Sequence, residues 1–411
     1  MRRLCFVLVL LTAPQCLSAT AGDWPQILGP DRTGIAAADE KLADRWPEAG
    51  PPVRWRREVG AGYAGLAVSG DRAVLFHRQA DEEIVEALDV ATGKTLWRSG
   101  HATRFQPQVG GGDGPLCTPV VHAGKVVTCG AQGVLSCDDL ASGRRLWSRA
   151  THREFNAPEG YFGAGSTPLV VAGAVILNVG GRGDAGVVAF DLETGKTRWQ
   201  RTAEAASYSA PVAVDMGGAP HVLMVARLSC LLIDAATGDV RWKFGFGQRG
   251  PTVNGASPVV IGGDRLLVTS AYGVGSVCAA FDRAAAKPVW AGEGPLATQY
   301  CTPLLVGDHL YCIDGRDDVP PADLVCVAAA TGREAWRERG FGYGTLVAAD
   351  GKLLAAKTAG DLVLLRATPA GVETLARCRP LSGTLRALPA LSRGRLYLRD
   401  DATLICLDLA P

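Results

Sequence analysis

The residues of this chain that could do chemistry are few and scattered. Asp314, Asp317 and Asp318, in the run DGRDD, could offer oxygen ligands to a hard cation. Their place between two short apolar runs also fits a solvated turn, and that is the reading taken. The six histidines, His77, His101, His122, His152, His221 and His309, form no H-E-x-x-H pair and no metal-spaced cluster. No G-x-S-x-G nucleophile elbow occurs. The glycine runs at 110–114 and 180–184 precede no helical pattern. A phosphate loop works through a helix N-terminus, so they read as turns. Of 12 cysteines, all but Cys5 and Cys16 lie beyond residue 21, and none shows C-x-x-C spacing. They read as small buried hydrophobes, with their pairing left open.

Binding chemistry is better represented. Three stretches, 101–115, 152–165 and 244–255, are longer than a simple turn needs. They carry Arg104, Phe105, Arg153, Phe155, Tyr161, Phe162, Phe246 and Arg249. Aromatic side chains interleaved with arginine are the usual anchors of an interface, so these eight form the candidate interaction face.

The elements that hold these stretches follow from a repeat. Trp55, Trp97, Trp147, Trp199, Trp242, Trp290 and Trp336 recur every 42 to 52 residues. A period in the forties points to a propeller or a solenoid. From Trp97 on, each tryptophan closes a similar phrase, such as ALDVATGKTLW at 87–97 and AFDLETGKTRW at 189–199. In that phrase an apolar strand ends on an aspartate that can cap the next turn. A glycine such as Gly93, Gly143 or Gly195 lets the chain reverse. A second strand then ends on the indole, which can seal a seam between sheets. Between the phrases lies a small-x-Pro-apolar signal, as in CTPV at 117–120 and STPL at 166–169, which opens another strand.

Each unit therefore predicts four short strands, and the third strand can be counted eight times, from 84–89 to 404–408. The fold expected is all-β: an eight-bladed β-propeller of four-stranded antiparallel blades with tryptophan-bearing outer strands. The seventh outer strand, 372–378, lacks tryptophan, and the eighth blade lacks an outer strand. The run VRWRREVG at 53–60 carries Trp55 with no blade before it. Pairing that strand with 404–408 would close the ring and hide an edge. A helical repeat array fails because the segments alternate with period two and break at Gly or Pro.

These phrases resemble the tryptophan repeat of the PQQ-like (quinoprotein) β-propellers, a group that holds both quinoprotein alcohol dehydrogenases and BamB-type outer-membrane assembly factors. The segments DWPQILGPDRTG at 23–34 and RWPEAGPPVRWRREVGAGY at 45–63 resemble the opening of exported PQQ-like proteins of planctomycete-type bacteria, although Ile27 and Leu28 depart from the usual Trp-Arg. The resemblance implies fold strongly and function weakly. For a dehydrogenase it implies PQQ and calcium in the channel, a tryptophan floor and often adjacent paired cysteines. No Cys-Cys dipeptide occurs, and Trp55 to Trp336 are already assigned to outer strands, so no cofactor residue is transferred. The expectation is a non-catalytic module without cofactor that binds an envelope or extracellular protein as a monomeric propeller. The alternatives are a PQQ- and calcium-dependent oxidoreductase, or a propeller that binds carbohydrate or another small ligand.

Composition is consistent with that picture. Gly 51 of 411 residues suits a turn-rich β protein, and hydrophobic residues at 47% exclude a disordered chain. Lys+Arg 42 against Asp+Glu 41 leaves no electrostatic footprint for nucleic acid. Arg2 and Arg3, the apolar run 4–11 and Ala19-Thr20-Ala21 read as an export signal cut near Ala21. No later run is long enough to span a membrane. The expected organisation is a signal at 1–21, an arm at 22–52 and a propeller at 53–411, acting in a periplasmic or extracellular space.

Overall fold

The computed structural model describes residues 22–250 and 252–411. The segment assigned as an export signal lies outside them. Eight four-stranded antiparallel sheets follow one another in a propeller ring. Blade 1 covers 67–102, blade 2 120–150, blade 3 169–201 and blade 4 212–245; blade 5 covers 259–292, blade 6 304–338 and blade 7 344–378. Blade 8 takes three strands from 390–408, and its outer strand is Val53–Glu58 from the other end of the chain. In that pairing Trp55 lies opposite Cys406. The only helix among the described residues is one turn, Thr151–Glu154.

Local chemistry explains each turn. Asp139 ends a third strand, and its carboxylate accepts the Ser142 N–H at 2.9 Å and the Ser142 hydroxyl at 2.6 Å. Asp89, Asp191, Asp234 and Asp282 accept turn amides in the same way. Gly143 then takes φ +72°, a left-handed conformation that favours glycine. A Cβ there would come within 2.5 Å of the Trp97 ring from the preceding blade. The Trp97 indole N–H donates to the Leu140 carbonyl at 2.9 Å. Trp55 repeats the bond to Val90 at 3.1 Å, and Trp336 to Thr368 at 2.9 Å. Each tryptophan thus joins its outer strand to a turn of the next blade. Beside it, the pairing of third and outer strands slips by one residue, as between Cys137 and Asp138. Such a bulge sharpens the local twist.

The core is divided among the seams between sheets rather than gathered at one centre. One cluster joins blades 7, 8 and 1 through Leu364, Leu404 and Leu75. A second joins blades 5, 6 and 7 through Leu267, Val325 and Leu353. Nine of the ten cysteines in the described residues are buried, and all ten are free thiols.

The arm has a definite path that the sequence did not specify. Trp24 bridges Val68 of blade 1, and the Pro25 carbonyl accepts the Val121 N–H of blade 2 at 2.7 Å. Arg32 reaches the Pro211 carbonyl ahead of blade 4 at 2.8 Å. Ile35 bridges Ala348 of blade 7, and Glu40 accepts the Arg393 N–H of blade 8 at 2.9 Å. These partners lie on or beside the inner strands, so the arm crosses one mouth of the channel. It then fills the seam that has no repeat tryptophan. Gly50 sits so close to Cys378 that a Cβ would come within 2.9 Å of it, and Trp46 packs on the same cluster.

Candidate functional site

The long connections gather at the mouth away from the arm. The inner strands start at this end and finish at the arm. The Gln108 N–H donates to the Tyr161 carbonyl at 2.9 Å, which ties 101–115 to 152–165. Tyr208, on the connection into blade 4, links the second and third stretches. Its hydroxyl accepts the Phe162 N–H at 3.0 Å, and its own N–H donates to the Asn254 carbonyl at 3.0 Å. Its ring meets Phe162 edge-on with centroids 5.9 Å apart. Burial pushes the Tyr208 hydroxyl up to about 12, so it stays protonated.

These loops enclose a cavity of about 160 Å³, lined among others by His152, Tyr161, Asn178, Tyr208 and Arg227. Arg227 is steadied by the Thr252 hydroxyl at 3.3 Å and the Gly250 carbonyl. His152 is held below its ordinary value by burial, and its Nδ1 has no hydrogen-bond partner. A small pocket with aromatic walls and a few polar edges is suited to recognition.

The eight candidate residues divide into three groups. Arg104, Arg153 and Arg249 are exposed. Tyr161 is half-buried on the cavity wall, Phe162 is half-buried against the Tyr208 ring, and Phe155 is half-buried with its ring edge-on to Phe190 at 6.1 Å. Phe105 and Phe246 are not part of a surface. Phe105 is 0% exposed beneath Gly163, and Phe246 is 5% exposed in the core cluster of Trp242 and Phe281. Both are corrections to the sequence reading, because a connection folded back over a blade turns some of its aromatics inward. Sequence reasoning missed Tyr208, Asn178 and Arg227. Tyr208 stands directly before the SAPV signal, so its position at the start of an inner strand was available.

The carboxylates of the DGRDD run are each engaged by arginine. Asp314 takes Arg337 at 2.7 Å, Asp317 takes Arg386 at 2.7 and 2.9 Å, and Asp318 takes Arg316 at 3.0 Å. Arg386 also lies over the Tyr63 ring at 5.4 Å, and Arg316 over Tyr272 at 4.4 Å. Among the described residues no group of three His, Cys, Asp or Glu is placed to hold a metal ion. The carboxylates of this run are thus committed to arginine, and no chemical step is derived through a metal-held quinone.

Comparison with known proteins places these features. A family model described as outer membrane protein assembly factor BamB matches residues 81–338. The BamB of Burkholderia pseudomallei is 25% identical over 303 residues, covering 69% of this chain and 68% of that protein. The structure of BamB from Moraxella catarrhalis aligns with TM-score 0.63 at 16% identity, over 87% of this chain and 99% of that one. A europium-containing methanol dehydrogenase aligns with TM-score 0.65 at 12% identity, over 93% and 90%. The two structural likenesses show the fold alone, because scaffold and enzyme share it.

Proposed function

The chain belongs to the family of the outer membrane protein assembly factor BamB, and from that premise we propose that it is a non-catalytic propeller whose loop face docks a protein of the cell envelope. The observation that carries this reading is the loop cluster. Arg104, Arg153 and Arg249 stand exposed, and Tyr161, Phe162 and Tyr208 are packed together, with Tyr161 and Tyr208 on the wall of a cavity. Aromatic anchors held rigidly by a scaffold, with arginines outside them, bind protein surfaces at low ordering cost. The reading includes export, a mature chain starting near Gly22, and a monomeric propeller. No helix among the described residues is long and apolar enough to cross a membrane.

The test is crosslinking of the mature protein in an envelope extract. Saturable capture of one defined partner is expected, together with its loss in the triple variant Arg104→Glu, Arg153→Glu, Arg249→Glu. These side chains are exposed, so the variant should melt like the parent. Capture that is unchanged in the triple variant would overturn the choice of face. The competing reading is a PQQ- and calcium-dependent dehydrogenase, which the fold likeness to methanol dehydrogenase keeps in view. Titration with PQQ and calcium is expected to give no saturable uptake, and tight uptake would overturn the non-catalytic reading.

A further inference from the structure

Arg32 is 3% exposed, and among the described residues no carboxylate lies within ion-pairing distance of it. Its Nε donates to Gln26 Oε1 at 2.8 Å. Nη1 donates to the Pro211 carbonyl at 2.8 Å and the Thr167 carbonyl at 3.5 Å, and Nη2 donates to the Pro168 carbonyl. These four bonds occupy four of the five guanidinium N–H groups and leave one on Nη2. Burial without a counter-charge lowers its pKa to about 9, so the group is still cationic at neutral pH. A buried, positioned and uncompensated cation is an unusual thing to leave in a fold.

Two cavities open beside it under the arm, and Arg32 lines both. The larger is about 540 Å³, with Val120, Val121, Leu169 and Val170 on its wall. The smaller is about 220 Å³ and reaches Val212 and Val259. Ala213 lines both as well. The acids nearby set a limit on what can enter. Asp23 is held by Arg393 at 2.6 Å and by the Ser69 hydroxyl at 3.1 Å. Asp31 is exposed on the rim of both cavities and Asp215 on the wall of the smaller, where their charges disfavour a multiply charged anion.

We infer that the arm-covered mouth of the channel binds a monocarboxylate with an apolar body, its carboxylate on Arg32 and its body along the valines of blades 2 and 3. The guanidinium has already lost its water in the folded protein, so an entering carboxylate meets a site organised in advance. The carboxylate can belong to a small free acid or to the carboxy terminus of a peptide. This site lies at the opposite mouth from the loop cluster and stands or falls independently of it.

The test is calorimetric titration of the mature protein with hexanoate, with hexanamide as the uncharged control. Saturable binding of hexanoate at least tenfold tighter than hexanamide is expected. It should weaken at least tenfold in Arg32→Gln. It should weaken as much in Ala213→Trp, which places an indole at an exposed position lining both cavities and removes no partner of Arg32. Acetyl-leucyl-leucine and its amide decide the source. Tighter binding by the free-acid peptide than by hexanoate assigns the site to a polypeptide terminus, and the reverse order assigns it to a small acid. Equal binding of hexanoate and hexanamide, or undiminished hexanoate binding in Ala213→Trp, overturns the inference.

Discussion

Gly143 has no room for a methyl group. Its backbone is left-handed, and the Trp97 ring would lie 2.5 Å from any added Cβ. Gly143→Ala is expected to destabilise the protein by about 2 kcal/mol or more, read from denaturant melts. Asp139→Ala, which only removes the turn cap, should cost about 1 kcal/mol by the same measurement. An inverted order of the two would contradict the seam contact. At the closing seam, the Gly60 N–H donates to His77 Nδ1 at 2.8 Å, and His77 Nε2 stands 3.4 Å from Glu86 Oε2. Burial lowers the His77 pKa below 6.5, outweighing the nearby Glu86. Burial alone would raise Glu86, but the neighbouring His77, hydrogen bonds from Thr95 and Arg57 and the Arg57 charge hold it at about 2. Below pH 6.5 the unfolded chain therefore takes up a proton that folded His77 refuses. Its contribution to stability is complete above that pH and is lost as pH falls toward the folded value. His77→Asn keeps an acceptor for Gly60 and should flatten the fall in stability between pH 7 and pH 5.

At the scale of the element, the blade phrase was legible because each part acts locally. An aspartate caps a turn three residues away, a glycine reverses it, and a tryptophan closes the strand that follows. The seven tryptophan positions assigned from the sequence all fall on outer strands in the structure. The arm was not legible in this way. Its contacts join Arg32 to Pro211 and Lys41 to Asp350, far apart in sequence, and no periodic pattern encodes them. Phe105 and Phe246 went astray for a related reason, since loop composition names an aromatic without saying which way it turns. Trp24 gives the arm its anchor, at 1% exposed in the cluster of blades 7, 8 and 1. Trp24→Ala should cost about 3–5 kcal/mol in denaturant melts. It should also raise hydrogen exchange along 22–52 before the blades respond. A melt shifted by less than about 1 kcal/mol would mean that the arm is merely draped over the channel.

For the whole molecule, stability rests on an uninterrupted ring of seams. Six are closed by a tryptophan within consecutive units, and Trp55 closes the joint between blades 8 and 1. The seam between blades 7 and 8 is left to Trp46 and Gly50. Removal of residues 22–58 therefore takes away the arm and the outer strand of blade 8 together. Hydrogen exchange is expected to show protection lost at 390–408 and kept in blades 3 to 5. Equal loss in every blade would show that the ring responds only as one unit.

The pairing of Val53–Glu58 with the strand that ends at Asp408 also bears on how the chain is made. The first strand of the ring to leave the ribosome finds its partner only when the last has been synthesised. Until then it carries an unpaired edge beside blades built from nearer contacts, and ring closure is the pairing of greatest sequence separation, which topology makes slow. Until the ring closes, that waiting strand is an open edge that a second copy of the chain could pair with.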